Sequence, residues 1–280
     1  MLSFEEQVIP LDDWITLSVD WLVEGYRWFF QIIKWPVELT LSSLENGLLA
    51  IPPLLIILAF ALIAWKVSGI RLAIFSFAAL AFIGMLGLWE ETMTTLAMVF
   101  CSVIFCTIVG IPLGIWAGRS DRFDAFLRPC LDAMQTTPAF VYLVPIVMLF
   151  SVGNVAGVLA TIVFALPPII RLTSLGIRQV HPELVEAALA FGATQWQVLR
   201  RVQIPLALPT IMAGLNQTIM MALSMVVIAA LIGAGGLGAP VMLGLNTLDI
   251  GLATIGGLSI VLLAIVLDRI TQSMGTQKKN

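Results

Sequence analysis

This chain of 280 residues is poor in the side chains that carry most chemistry: it has 14 Lys and Arg, 17 Asp and Glu, one His, three Cys and two Tyr. A single histidine, His181, excludes a His-rich metal site and leaves no convincing Ser-His-Asp arrangement within one chain. The cysteines are Cys101 and Cys106 inside an apolar run and Cys130 beyond it, an odd set that makes no disulfide framework and points to packing. Lysine occurs only at Lys34, Lys66, Lys278 and Lys279. None follows a G-x-x-x-x-G stretch, so the chain has no phosphate-binding loop and is not expected to hydrolyse ATP on its own. No basic start precedes an apolar stretch in the first thirty residues, which carry Asp12, Asp13, Asp20 and Glu24, so no cleavable signal peptide is expected. The apolar pattern does not repeat internally, which argues against a single-chain carrier built from inverted repeats. No catalytic, metal-binding or cofactor-binding residue is assigned, and no nucleic-acid partner is expected.

What the sequence has in excess is apolar surface. It is 60% hydrophobic and 11% charged, with a mean hydropathy of +1.03, so lipid must be its main solvent. At about 20 apolar residues per spanning helix, the sequence predicts an all-α polytopic membrane protein with about seven spans, roughly 48–65, 70–88, 94–117, 137–152, 155–174, 208–232 and 250–268. The fourth holds Pro138 and Pro145 and the fifth Pro167 and Pro168, so kinked or broken helices are expected there. Gly110 and Gly114 in the third have the small-x-x-x-small spacing that lets helices approach closely.

Charge orients these spans, because basic residues near helix ends stay on the cytoplasmic side. If the segment between the fifth and sixth spans is inside, that side holds Lys66, Arg71, Arg119, Arg122, Arg128, Arg171, Arg178, Arg200, Arg201, Arg269, Lys278 and Lys279, twelve of the fourteen basic residues. The other side keeps Arg27 and Lys34 and collects eleven acids: Glu5, Glu6, Asp12, Asp13, Asp20, Glu24, Glu38, Glu45, Glu90, Glu91 and Asp249. The N-terminus is therefore expected outside and the C-terminus in the cytoplasm.

Three regions follow: an extracytoplasmic N-terminal segment 1–47, a transmembrane region 48–272 and a cytoplasmic tail 273–280. In the first, Trp14, Trp21, Trp28 and Trp35 recur every seven residues on one slowly drifting helical face, and Asp13, Asp20, Arg27 and Lys34 form a charged stripe about 100° away. Tryptophan favours the membrane interface. This pattern predicts an amphipathic helix in the outer leaflet, ended by Pro36; a helix packed on other protein satisfies the same spacing.

The one elaborate inside feature is the segment 181–205. Pro182 and Glu183 suit a first helical turn, Leu184, Ala187, Ala188 and Phe191 share a face, and Gly192 supplies a bend. A second short helix, Thr194 to Val202, is expected to stop at Pro205. Glu186-Ala187-Ala188, three residues, Gly192, nine residues and Val202-Gln203-Ile204-Pro205 resemble the EAA motif of ABC importer permeases, E-A-A-x3-G-x9-I-x-L-P. The departures are Val202 for isoleucine and Ile204 for leucine.

The resemblance extends over roughly residues 48–272. Gln135-Thr136-Thr137-Pro138-Ala139-Phe140, Ala165-Leu166-Pro167-Pro168-Ile169-Ile170-Arg171, Asn216-Gln217-Thr218, Gly233-Ala234-Gly235-Gly236-Leu237-Gly238 and Ala264-Ile265-Val266-Leu267-Asp268-Arg269 are similar to the glycine betaine/proline betaine branch. It implies the type I importer permease fold in a bacterial plasma membrane. Glu186, Ala187, Ala188 and Gly192, with Pro205, would form the coupling helix that docks on an ATP-binding subunit. It also implies a second copy of this chain, two ATPase copies that hold the ATP and magnesium, an extracytoplasmic binding protein and import of quaternary-ammonium osmoprotectants.

Betaines carry a trimethylammonium and a carboxylate with no net charge, so aromatic, amide and hydroxyl groups could pass them without fixed charges in lipid. Phe140, Tyr142, Asn216, Gln217, Thr218 and Ser224 are the lining candidates, although packing or interhelical hydrogen bonds would use the same residues. The spans show almost no ionisable side chains, Arg71, Arg171, Asp249 and Asp268 falling at or near helix ends, which weakens a proton-coupled carrier. The glycine-rich stretch 233–238 reads as a flexible or re-entrant turn near an outer gate. Two other classes compete with the permease: a stand-alone carrier or channel for small zwitterions, and a membrane scaffold without transport.

Overall fold

Each apolar run forms a helix, and no strand occurs among the described residues. The computed structural model describes residues 11–276. Its elements are α1 (Leu11–Ala50), α2 (Pro53–Ser68), α3 (Ile70–Met85), α4 (Trp89–Arg119), α5 (Asp121–Thr136), α6 (Leu143–Phe150), α7 (Asn154–Arg178), α8 (Pro182–Ala190), α9 (Gln195–Val198), α10 (Ile204–Ile228), α11 (Gly238–Thr247) and α12 (Ile250–Thr276). Glu5, Glu6, Lys278 and Lys279 of the charge count lie outside the described residues, as do the side chains of Asp12, Asp13, Asp20, Glu24 and Arg27.

Four helices are long and apolar enough to cross a membrane, namely α4, α7, α10 with its extensions and α12. The count reaches six if each of two bent pairs, α1 with α2 (104°) and α5 with α6 (105°), makes one span. Short helices separate this count from the expected seven. Sixteen-residue α2 and α3 are about 24 Å long against a hydrocarbon core of about 30 Å. The expected fourth span is a 3-10 turn at Ala139–Tyr142 followed by eight-residue α6.

The bundle is organised around α7, which packs against α4 on one side and α10 on the other. Its apolar residues Ile169 and Ile170 are buried between them, with Met93, Leu96 and Met98 of α4 and Leu223 and Val226 of α10. The expected close approach on α4 is present: a methyl on Gly110 would lie 2.3 Å from Ile169 Cγ2. Of the kink or break expected in α7, the break is absent: the helix runs unbroken through Pro167 and Pro168, both buried. Packing on two sides holds it, and a proline removes only one helical hydrogen bond.

Pro36 likewise does not end the N-terminal helix, which continues to Ala50. Its one backbone irregularity is at Tyr26 (φ −122°, ψ 22°). Val37 and Leu41, just past the proline, are buried in the same core as α4, and the Cys101 thiol faces the Val37 carbonyl at 3.8 Å. The second half of the N-terminal segment is thus part of the bundle. Trp14, Trp21, Trp28 and Trp35 are all exposed, as their spacing predicts.

The glycine-rich stretch is held rather than loose. The Gly235 amide donates to Asn154 Oδ1 (2.7 Å) and the Leu237 amide to Thr95 Oγ1 (2.8 Å), while Gly153 N–H donates to Ile232 O at 3.1 Å. Two side chains from the starts of α4 and α7 thereby satisfy its backbone donors. The hairpin of α11 and α12 follows; α11 is a helix the sequence reading left out.

Candidate functional site: the coupling loop and the charged crevice beside it

Local chemistry dictates the shape of residues 181–205. Pro182 opens α8 with Glu183 in its first turn, where a missing donor costs nothing and an acid meets the positive end of the helix dipole. Gly192 closes it in the left-handed region, φ +81°. There the Gly192 amide donates to Leu189 O (2.9 Å) and the Ala193 amide to Ala188 O (3.0 Å), the paired bonds of a Schellman stop. The spacing from Ala188 to Gly192 is thus the spacing of one helix ending. Thr194 then caps α9: its hydroxyl accepts from Gln197 N (3.3 Å) and Gln197 Oε1 accepts from Thr194 N (2.8 Å).

The sequence-predicted residues sit on the surface of this unit. No residue of α8 is buried. Glu186 and Ala187 are exposed, Ala188 is half-buried, and Phe191 at the tip is 94% exposed. Ala188, Phe191, Gly192, Gln197 and Arg201 border an open hollow of about 420 Å³ between α8 and the chain that leaves it. Arg119 at the end of α4 donates to Gln195 Oε1 (3.2 Å), tying the loop to the bundle.

Pro205 plays a different part from the one expected. It lies in the first turn of α10 and stops nothing. A π-helical turn at Leu199–Gln203 joins α9 to α10, so 195–232 forms one long span. Proline cannot donate to the carbonyl four residues back, and the widened turn accommodates that loss.

The candidate lining residues do not form one patch. Tyr142 packs edge-on against Phe164 (6.1 Å) and donates its hydroxyl to Met134 O (2.6 Å). Phe140 is exposed. Gln217 and Ser224, seven residues apart, share an exposed face of α10. Asn216 turns instead to α12, where its amide donates to Asp268 Oδ1 (3.0 Å) and its carbonyl accepts from Thr271 Oγ1. Thr218 is buried against the bundle, and its hydroxyl has no hydrogen-bond partner among the described residues.

Beside α11, sequence reasoning missed α5, which turns Cys130 from a loop residue into an exposed helical one. Its acids face the last two turns of α7: Asp121 pairs with Arg178 (2.6 Å), Asp124 with Arg178 (3.6 Å) and Arg128 (2.6 Å), and Asp132 with Arg171. Arg171 stands seven residues before the end of α7, about 10 Å along the helix, so the bundle does contain fixed charge away from helix termini. A cavity of about 300 Å³ lies between α5 and α7 with Asp132 and Arg171 on its wall.

Comparison with known proteins gives this geometry its context. Residues 110–275 match the family model described as binding-protein-dependent transport system inner membrane component. The glycine betaine/proline betaine transport system permease protein ProW of Escherichia coli is 54% identical over 277 residues, covering 99% of this chain and 78% of that protein. The glycine betaine transport system permease protein OpuAB of Bacillus subtilis is 46% identical, with 97% of this chain and 96% of that protein covered. Among solved structures, an inward-facing conformation of the MetNI methionine ABC transporter is 27% identical, with a TM-score of 0.55 over 65% of this chain and 90% of that one. The type I permease fold, an ATPase partner and a substrate-binding partner follow from these matches. The chain belongs to the binding-protein-dependent transport system inner membrane components: it is a permease subunit of an ABC importer, with ATP hydrolysed by a separate subunit.

Proposed function

We propose that the chain forms, with a second copy of itself, the translocation pathway for glycine betaine and related quaternary-ammonium zwitterions, driven through α8 by two ATPase subunits. The observation that carries the docking part is that no residue of α8 is buried and that Phe191 stands exposed at its glycine stop. Leu184 and Leu189 on the same short helix are exposed as well, and an apolar patch of this kind marks a surface that another covers. Glu186 and Gly192 are read as anchor and bend, Ala187 and Ala188 as the small positions that allow close approach, and Pro205 as the start of the span that α8 moves. The substrate class rests on the relatives, whose names specify betaines.

In this reading the N-terminus lies outside and the C-terminus in the cytoplasm, supported by the crowding of Arg119, Arg178, Arg200 and Arg201 at the α8 end of the bundle. ATP-driven closure of the ATPases would bring the two α8 helices together and tilt α10 and α7, exchanging access between the two sides. Phe140, Gln217 and Ser224 are the pathway candidates whose side chains are exposed; the Tyr142 hydroxyl is committed to Met134 O and Asn216 to α12.

Reconstitution in liposomes with the ATPase and the binding protein tests this. Uptake of labelled glycine betaine that requires ATP and all three components is the expected result. Equal flux through liposomes holding this chain alone would overturn the reading in favour of a stand-alone carrier.

A further inference from the structure

The cavity between α5 and α7 carries charges of both signs on its wall, with Arg171 and Asp132 paired across the two helices. We propose that Arg171 and Asp132 form an exit subsite, in which the guanidinium receives the carboxylate of a betaine and the Asp132 carboxylate receives its quaternary ammonium. The proposal rests on the betaine reading above and adds where, and by which groups, this chain holds the substrate.

Four observations converge on it. The cavity, about 300 Å³, is at the lower end of the range of small-molecule sites, ample for a molecule of betaine size. Leu127, Leu131, Ile170 and Leu175 give its wall apolar surface suited to trimethylammonium methyl groups, between the Asp132–Arg171 pair and the charges of Asp124, Arg128 and Arg178. Arg171 and Asp132 come from helices 39 positions apart in sequence, so tertiary structure alone brings them together. Both also remain partly accessible, with side-chain exposures of 39% and 64%, rather than being sealed in the core. Charges in a membrane helix face the bundle interior or a water-filled cavity, because lipid penalises them heavily.

Complementarity explains why a pair, not a lone charge, stands there. In the empty site each group neutralises the other. A betaine offers both signs, so it can separate them while leaving neither unpaired: the guanidinium takes the carboxylate in its two-pronged geometry, and Asp132 keeps a cationic neighbour. Choline brings the cation without the carboxylate and would strand Arg171. The site therefore discriminates by the anionic end of the substrate. Asp124, Arg128 and Arg178 line the same cavity and pair among themselves, and Asp121 extends the series from Arg178 at the end of α7, where a released zwitterion passes into water.

The test uses the full transporter in liposomes, with ATPase and binding protein, and measures maximal uptake of labelled glycine betaine and of choline at saturating external substrate. The binding protein sets the external affinity, so the permease variants are read in the maximal rate. Arg171→Gln is expected to cut the betaine rate at least tenfold and the choline rate by less than threefold, and Asp132→Asn to cut both at least tenfold. The double variant Asp132→Asn with Arg171→Gln retains a hydrogen-bonding pair between α5 and α7. If the ion pair only braces the two helices, that pair restores betaine transport to near the unmodified rate, which would overturn the proposal; if it is a substrate site, transport stays at least tenfold down while ATP hydrolysis by the complex persists. Equal loss of betaine and choline in Arg171→Gln also overturns it. Absence of any betaine uptake by the unmodified assembly removes the substrate reading itself, and this site with it.

Discussion

Gly114 of α4 meets Thr173 of α7 so closely that a methyl added to the glycine would lie 2.5 Å from Thr173 Cβ and 2.7 Å from the Ile170 carbonyl oxygen. In lipid, where the surrounding tails are as apolar as leucine, such close approach is what holds helices together. Gly110 one turn earlier makes the same contact with Ile169.

Gly114→Ala should therefore destabilise the bundle by about 1–3 kcal/mol, the usual penalty for overpacking. Gly257→Ala in α12, where an added methyl meets nothing within 4 Å, should be neutral or slightly stabilising. Thermal unfolding of the purified protein in detergent checks both; equal effects would show that the α4–α7 seam is not tight.

The 233–237 loop should loosen when its two side-chain acceptors are removed. Asn154→Ala and Thr95→Val each leave one backbone donor of the loop unpaired, costing about 1–3 kcal/mol where the donor is buried. Hydrogen exchange should rise locally at Gly235 in the first variant and at Leu237 in the second. Unchanged protection at both would mean the loop is held by something else.

Cys130 gives an orientation test with no engineering. It is exposed on α5, whereas Cys101 and Cys106 are buried. A membrane-impermeant maleimide should label one thiol per chain in inside-out vesicles and none in right-side-out ones. Labelling of Cys130 from the outer side would reverse the topology.

Much of this was legible in sequence, for identifiable reasons. The helices α4, α7, α10 and α12 announce themselves by apolar length, and Ala188 and Gly192 sit at the spacing of a glycine-terminated helix. The Trp14, Trp21, Trp28 and Trp35 spacing is a local periodicity, and all four side chains are exposed, on a helix kinked at Tyr26. The reading failed where a tertiary contact overrides a local rule. Pro36, Pro167 and Pro168 look like breaks, yet packing on α4 and α10 carries the helices through. Pro205 looks like a stop, yet a π turn takes it into a longer span. The helix α5 was hidden by its charge: Asp121, Arg122, Asp124, Arg128 and Asp132 make it unlike a span, and only the fold shows that Arg171 and Arg178 answer them. No feature of the local sequence links Asp132 to Arg171; a charged residue well inside an apolar helix was the one signal that could have prompted the search.

The docking of α8 on the ATPase is the claim on which the mechanism turns, and Glu186→Lys addresses it most directly, because Glu186 is exposed and its replacement leaves the bundle intact. In the reconstituted transporter, substrate-stimulated ATP hydrolysis and betaine uptake should both fall at least tenfold while membrane insertion stays normal. Hydrolysis and uptake at the unmodified rate would contradict docking through this loop.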